Sequence, residues 1–168
     1  VPENRKLEGL FLTNTLRYNM TLPILHRFMG FVGVNRKKEM SIVDKYVHEL
    51  SIRMTGVDQL VNYLSGGNQQ KVVVSKWLLT EPTILILDEP TRGIDVGAKS
   101  EIYHLISELA DKGVAVMMIS SEMEEIINLS DRIIVLHEGT VTGEIPNDPA
   151  RRATQEEILL LASGGNAN

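Results

Sequence analysis

Two short segments of this sequence carry side chains suited to chemistry on a charged ligand. In Ile84-Leu-Ile-Leu-Asp88-Glu89-Pro90 an apolar run ends in two acids. If the run is a buried strand, both carboxylates arrive at the carboxyl edge of a parallel sheet, where α/β folds put ligands. Asp88 is suited to hold Mg²⁺ through a water, because that ion keeps much of its hydration shell. Glu89 is suited to polarise an attacking water. The plainer reading is an acidic strand end facing solvent. The second segment is Leu64-Ser65-Gly66-Gly67-Asn68-Gln69-Gln70, followed by an apparent helix from Lys71 to Leu79. Two glycines before a helix let backbone N–H groups approach an anion closely, and the helix dipole adds to the attraction. Ser65 can contribute a hydroxyl donor. Ser-Gly-Gly alone is a common flexible turn, whereas the full seven-residue string is much more specific.

The elements that position these segments follow from periodicity. Residues 1 to about 80 read as helical, with almost no strand signal. Ile42, Val43, Tyr46, Val47 and Leu50 fall at helical spacing, with Ser41 as the expected N-cap and Asp44 three residues on. Residues 16–31 are ambiguous, interrupted by Pro23 and closed by Gly30 and Gly33. From about residue 82 the pattern becomes strand, helix, strand, helix, strand. Thr83 to Leu87 reads as a parallel strand covered on both faces. Ile102, Leu105, Ile106 and Leu109 give one apolar face to a helix ended by Gly113. Val114 to Ile119 is the next strand, and Met123, Ile126 and Ile127 mark a short helix. Arg132 to Leu136 pairs with Thr140 to Ile145 across His137-Glu138-Gly139. A last helix restarts at Thr154, with Glu157 three residues on. The fold class is α/β, a helical portion leading into a partly parallel sheet.

Composition narrows the function classes. The 168 residues include 17 basic and 22 acidic side chains, a formal charge of −5, which disfavours a broad nucleic-acid-binding face. The absence of cysteine excludes a disulfide framework, a thiolate zinc site and a cysteine nucleophile. No stretch approaches the ~18–20 apolar residues of a membrane span. His26, His48, His104 and His137 lack metal-site spacing. Trp77, Leu78, Met117 and Met118 are expected in the core.

LSGGNQQ, then ILILDEP about fourteen residues later, then TRGID, resembles the nucleotide-binding subunits of ABC transporters. Within that superfamily EPTRGIDVGAK, ISSEM and SDRIIVLHEG look like the second, carboxyl-terminal cassette of monosaccharide-import ATPases of the ribose, galactose and xylose type. The resemblance runs from residue 1 to about 160. It implies a partial P-loop NTPase cassette with a helical subdomain and a RecA-like, partly parallel sheet missing its N-terminal strands. Residues 1–80 would form the Q-loop and helical signature subdomain, 81–146 the core portion with Walker B and D-loop, and 147–168 a tail helix. It implies ATP and Mg²⁺ as ligands of the full-length protein, not held tightly by these residues alone. Ser65, Gly66, Gly67, Asn68 and Gln69 would contact ATP across a dimer, with Glu89 as catalytic base and Asp88 toward the metal. Asp95 falls in the D-loop, Ser121 at the switch position and Glu3 at the Q-loop position. The implied partners are a second ATPase cassette, transmembrane permease subunits and, indirectly, a sugar-binding protein. The implied place is the cytoplasmic face of the membrane, peripherally bound.

Three departures qualify this. Glu3 stands where most of the family has glutamine, and Ser121 where it has a γ-phosphate-contacting histidine. Serine is shorter and uncharged, so whether this cassette's own site hydrolyses ATP stays open, although Glu89 is retained. Finally, the sequence contains no G-x-x-x-x-G-K-[ST] phosphate loop. In the family that loop precedes the Q-loop, so the expectation is the carboxyl-terminal portion of a cassette, inactive in isolation. Exposed sheet edges or a domain-swapped dimer of the fragment would be the consequence. The competing readings are a non-catalytic binding half and a non-transport ABC ATPase of the chromosome or DNA-repair type. The latter's coiled-coil heptads and basic surface are absent here.

Overall fold

A computed structural model describes residues 1–31 and 33–165. The chain divides into two compact units, Val1–Ile119 and a second that begins at Ser120.

The first unit opens against its own sheet. The Val1 amine donates to Ile86 O (2.8 Å) and Asp88 N–H donates to Val1 O (3.0 Å), so Val1 lies along the edge of the strand Ile84–Asp88. A π-helical turn, Arg5–Gly9, follows, with Asn4 Oδ1 accepting from the N–H groups of Lys6 and Leu7. Helix α1, Leu16–Thr21, starts where Thr15 Oγ1 accepts from Tyr18 N–H, and runs into a 3₁₀ helix, Leu22–Phe28. Pro23 sits in the first turn of that second helix, where its missing N–H has no acceptor to lose. Strands β1, Met29–Gly30, and β2, Gly33–Val34, then pair antiparallel, a short element that the composition of residues 1–80 does not announce.

Helix α2 spans Arg36–Glu49, so the expected N-cap, Ser41, lies inside it and the observed cap is Asn35. The Asn35 side chain accepts from Lys38 N–H, and this local bond starts the helix ahead of its apolar stripe. The added turn carries Glu39 into the interior, where it is 2% exposed. There Glu39 meets Arg17 (2.9 Å) and the Thr21 hydroxyl (2.8 Å), while Arg17 also holds Asp58 (2.8 Å). Helix α3, Gly66–Leu78, packs on α1 and buries Val72, Val73, Val74 and Leu78. Trp77 lies outward, 38% exposed beneath the Lys76 ammonium, against the expectation of a core position.

Strand β3, Ile84–Asp88, pairs in parallel with β4, Ala115–Ile119, from Ile84 opposite Ala115 to Asp88 opposite Ile119. The crossover is helix α4, Val96–Asp111, which buries Ile102, Leu105, Ile106 and Leu109. Leu85 and Leu87 are buried on one face of β3, whereas Ile84, Ile86, Met117 and Ile119 are exposed on these two strands. The expectation of a strand covered on both faces, with Met117 in the core, therefore does not hold among the described residues. Periodicity reports apolar character, and it does not report which faces a neighbour covers.

In the second unit, helix α5, Met123–Leu129, precedes an antiparallel pair, β5 (Arg132–His137) and β6 (Thr140–Pro146). Helix α6, Gln155–Ala162, opens with the capping box of Thr154 and Glu157. Ile133, Val135, Ile145, Ala153, Ile158 and Leu161 form the core of this unit.

Glu39→Ala removes the buried carboxylate that Arg17 and Thr21 share. We expect it to cost about 3 kcal/mol, the lower end for a broken buried pair because Asp58 remains. Urea unfolding should show a lower midpoint at unchanged slope, and an unshifted midpoint would contradict the anchoring role.

Candidate functional site

Strand β3 delivers Asp88 and Glu89 to one end of the parallel pair. Leu85 and Leu87 hold it in the interior, and Asp88 ends it half-buried. The backbone then turns sharply, because Glu89 adopts φ +46°, a left-handed conformation that ordinary side chains avoid. Glu89 N–H still donates to Ile119 O (2.9 Å), so the ladder continues one residue past the strand. Such strain, about 1–3 kcal/mol, persists only where the surroundings over-determine it. The following turn returns Arg92 N–H to Glu89 O (3.1 Å) and leads to Asp95.

The second segment starts α3 directly. Ser65 is its N-cap, and Gly66 and Gly67 form its first turn, so the helix begins earlier than the expected Lys71. Ser65 Oγ accepts from Asn68 Nδ2 (2.8 Å) and Asn68 N–H (3.4 Å). Asn68 Oδ1 accepts from Arg53 N–H (2.8 Å), tying a loop fifteen residues back to the same turn. N–H groups in a first helical turn have no intrahelical acceptor and carry the positive end of the dipole.

The glycines of the first turn of α3 meet the chain beyond the strand end, at Gly93 and the start of α4. A Cβ on Gly67 would stand 2.5 Å from Ala98 Cβ, in the first turn of α4. A Cβ on Gly66 would stand 3.5 Å from Gly93 O. Asp95 caps α4 by accepting from Ala98 N–H (2.9 Å). Two helix starts, capped by Ser65 and Asp95, thus border one cleft of about 320 Å³, with Arg53 and Glu101 on its rim. Lys71 donates to Glu101 (2.8 Å), and this bond and its charge hold the Glu101 carboxyl below the usual range.

The structure brings Ser65, Gly66, Gly67 and Asn68 together with Asp95. Glu3 reaches the same turn by an ion pair with Arg92. Gln69 is placed differently: it is 3% exposed and its Nε2 donates to Val61 O (3.2 Å), so its side chain braces the interior behind the cleft. Ser121 is exposed and belongs to the second unit. Arg53 was not singled out by the sequence, because its place depends on the bond from Asn68. Among the described residues no group of three or more His, Asp or Glu could by itself enclose a metal.

The family profile described as ABC transporter matches residues 3–92. The chain is 52% identical over 165 residues to the ribose import ATP-binding protein RbsA of Bacillus subtilis, covering 98% of this chain and 33% of that protein. It is 50% identical over 163 residues to the xylose import ATP-binding protein XylG of Thermoanaerobacter pseudethanolicus, covering 97% and 32%. The chain therefore spans about a third of the length of these curated relatives. Among solved structures it is similar to the ATP-binding cassette MJ0796 in a dimeric post-hydrolysis state bound to ADP and Pi. The TM-score is 0.71 at 23% identity, covering 83% of this chain and 60% of that one, a likeness of fold.

Gly67→Ala forces a Cβ into the α3–α4 contact. The expected loss is about 1–3 kcal/mol, as for other overpacked sites. Adding Ala98→Gly removes the opposing methyl and should recover part of it. Urea unfolding of both variants checks this, and a Gly67→Ala protein as stable as the parent would contradict the close approach.

Proposed function

The chain belongs to the ABC transporter family, and from that membership we propose that it is part of an ATP-binding subunit that powers sugar import. The observation that carries this reading is the pair of helix starts, capped by Ser65 and Asp95, that meet at Gly67 and Ala98. The ribose and xylose import relatives supply the transported class, with ribose-type monosaccharides as its members.

In this reading Ser65, Gly66, Gly67 and Asn68 face a nucleotide held by a second ATPase cassette. First-turn N–H groups and the Ser65 hydroxyl are donors for its phosphate oxygens. Gln69 supports that turn from behind through Val61. Asp88 and Glu89 serve this cassette's own site. A single carboxylate at a strand end fits Mg²⁺, which takes one or two protein carboxylates and keeps waters and phosphates as its other ligands. Asp88 would hold the ion through water, and the bound ion would neutralise charge developing on the phosphoryl oxygens. Glu89, fixed by its strained turn, would orient the attacking water and accept its proton.

Asp95 keeps the D-loop helix start in register with the signature turn, and Glu3 anchors the Q-loop segment through Arg92. Ser121, at the switch position, offers a hydroxyl in place of an imidazole. The permease subunits are the membrane partners, a sugar-binding protein acts through them, and the assembly sits at the cytoplasmic face of the membrane. The 168 residues contain no G-x-x-x-x-G-K-[ST] segment, so the chain by itself is proposed not to retain or turn over ATP.

In the full-length protein, Glu89→Gln should lower the hydrolysis rate at this site by about 10²–10⁴-fold while nucleotide binding persists. Unchanged single-site turnover would remove Glu89 from the base role. For the 168-residue chain alone, calorimetry should detect no micromolar affinity for ATP, and finding one would contradict the proposed division of the site.

A further inference from the structure

Arg5 lies in the opening π-helical turn, yet its side chain ends against residues far along the sequence. Nη1 donates to Arg92 O (2.7 Å) and Nη2 donates to Gly93 O (3.0 Å). The same Nη2 would stand 3.0 Å from a Cβ on Gly66, so the guanidinium fills the space beside the first turn of α3. Gly93 has φ +67°, and the atoms that would approach a Cβ there are the two terminal nitrogens of Arg5. Arg5 Nε is buried without a hydrogen-bond partner. The group therefore gives up one hydrogen bond in a position that makes two others. Glu3, two residues earlier, pairs with the Arg92 side chain and ties the same two segments a second time.

We propose that Arg5 is a positioning residue that locks the Arg92–Gly93 turn against the first turn of α3, so that the opening segment and both cleft-lining helix starts move together. The inference rests on the functional reading above. Arg5 bonds the carbonyls of the turn and occupies the space a Cβ on Gly66 would enter, and it leaves the cleft to Ser65, Asn68 and Asp95. A planar fork suits this task because two carbonyls one residue apart accept from one rigid group. A shift of the Q-loop segment then displaces Gly93, and with it the Asp95 cap two residues on. Displacement of catalytic or binding groups by about 1 Å can cost roughly 100-fold in rate.

The test uses steady-state ATP hydrolysis by the full-length protein. Arg5→Met should lower kcat by roughly tenfold to 100-fold, with KM within about twofold because Arg5 is not among the residues that line the cleft. Its thermal midpoint should stay within about 4 °C of the parent. Arg5→Lys should recover part of the rate, since an ammonium can reach one carbonyl but not hold both. An unchanged kcat in Arg5→Met, beside a parent that hydrolyses ATP and a Glu89→Gln variant that does not, overturns the Arg5 role alone. A loss that follows the loss of folded protein, with Arg5→Lys no better than Arg5→Met, also overturns it. A parent without hydrolysis, or one indifferent to Glu89→Gln, overturns the functional reading and this inference with it.

Discussion

The arrangement depends on a contact that a single methyl group would prevent. The first turns of α3 and α4 approach so closely that Gly67 has no room for a Cβ against Ala98. Because they meet there, the Ser65 and Asp95 caps border one cleft, and two positive helix ends act on the same volume. The same closeness admits the Arg5 guanidinium between Gly66 and Gly93. Asn68 then extends the rim by holding the backbone of Arg53. Glycine in this segment thus has a packing function that precedes any ligand function: it sets the geometry in which an anion would find its donors.

The second constraint is the end of β3. Buried Leu85 and Leu87 fix the strand, the pairing with β4 carries it to Asp88, and the left-handed Glu89 diverts the chain. Local strain at Glu89 is held by bonds on both sides, from Glu89 N–H to Ile119 O and from Arg92 N–H to Glu89 O. Those bonds also orient the turn that leads to Asp95. Strand end and cleft are consequently linked by a few residues of chain, which the ion pair of Glu3 and Arg92 reinforces.

Much of this was legible in the sequence where the determining interaction is local. The Thr154–Glu157 capping box, the β5–β6 pair and the α4 stripe ending near Gly113 all follow from residues close together in the chain. The motif order likewise points to the ABC transporter family, whose profile matches residues 3–92. What was missed depends on partners distant in sequence. The start of α2 at Asn35 rather than Ser41 is the exception, a local bond to Lys38 N–H, and only the pairing of Glu39 with Arg17 depends on a distant partner. Trp77 and Met117 are apolar but lie on uncovered faces, which no periodicity reveals. Gly67 reads as freedom for an anion, whereas its requirement is set by Ala98. Gln69 looks like a continuation of the binding motif, yet helical rotation turns it inward to Val61.

In the proposed function, the turn from Ser65 to Asn68 faces the phosphates of a nucleotide held by a second cassette. Orthovanadate trapped with nucleotide in place of the terminal phosphate cuts backbone beside it under near-ultraviolet light. Applied to the full-length protein, the measurement is the position of that cut, read by mass spectrometry of the fragments. Cleavage is predicted at or next to Ser65, and it should require both ATP and vanadate. Nucleotide and vanadate trapped without a break between Leu64 and Asn68 would contradict it.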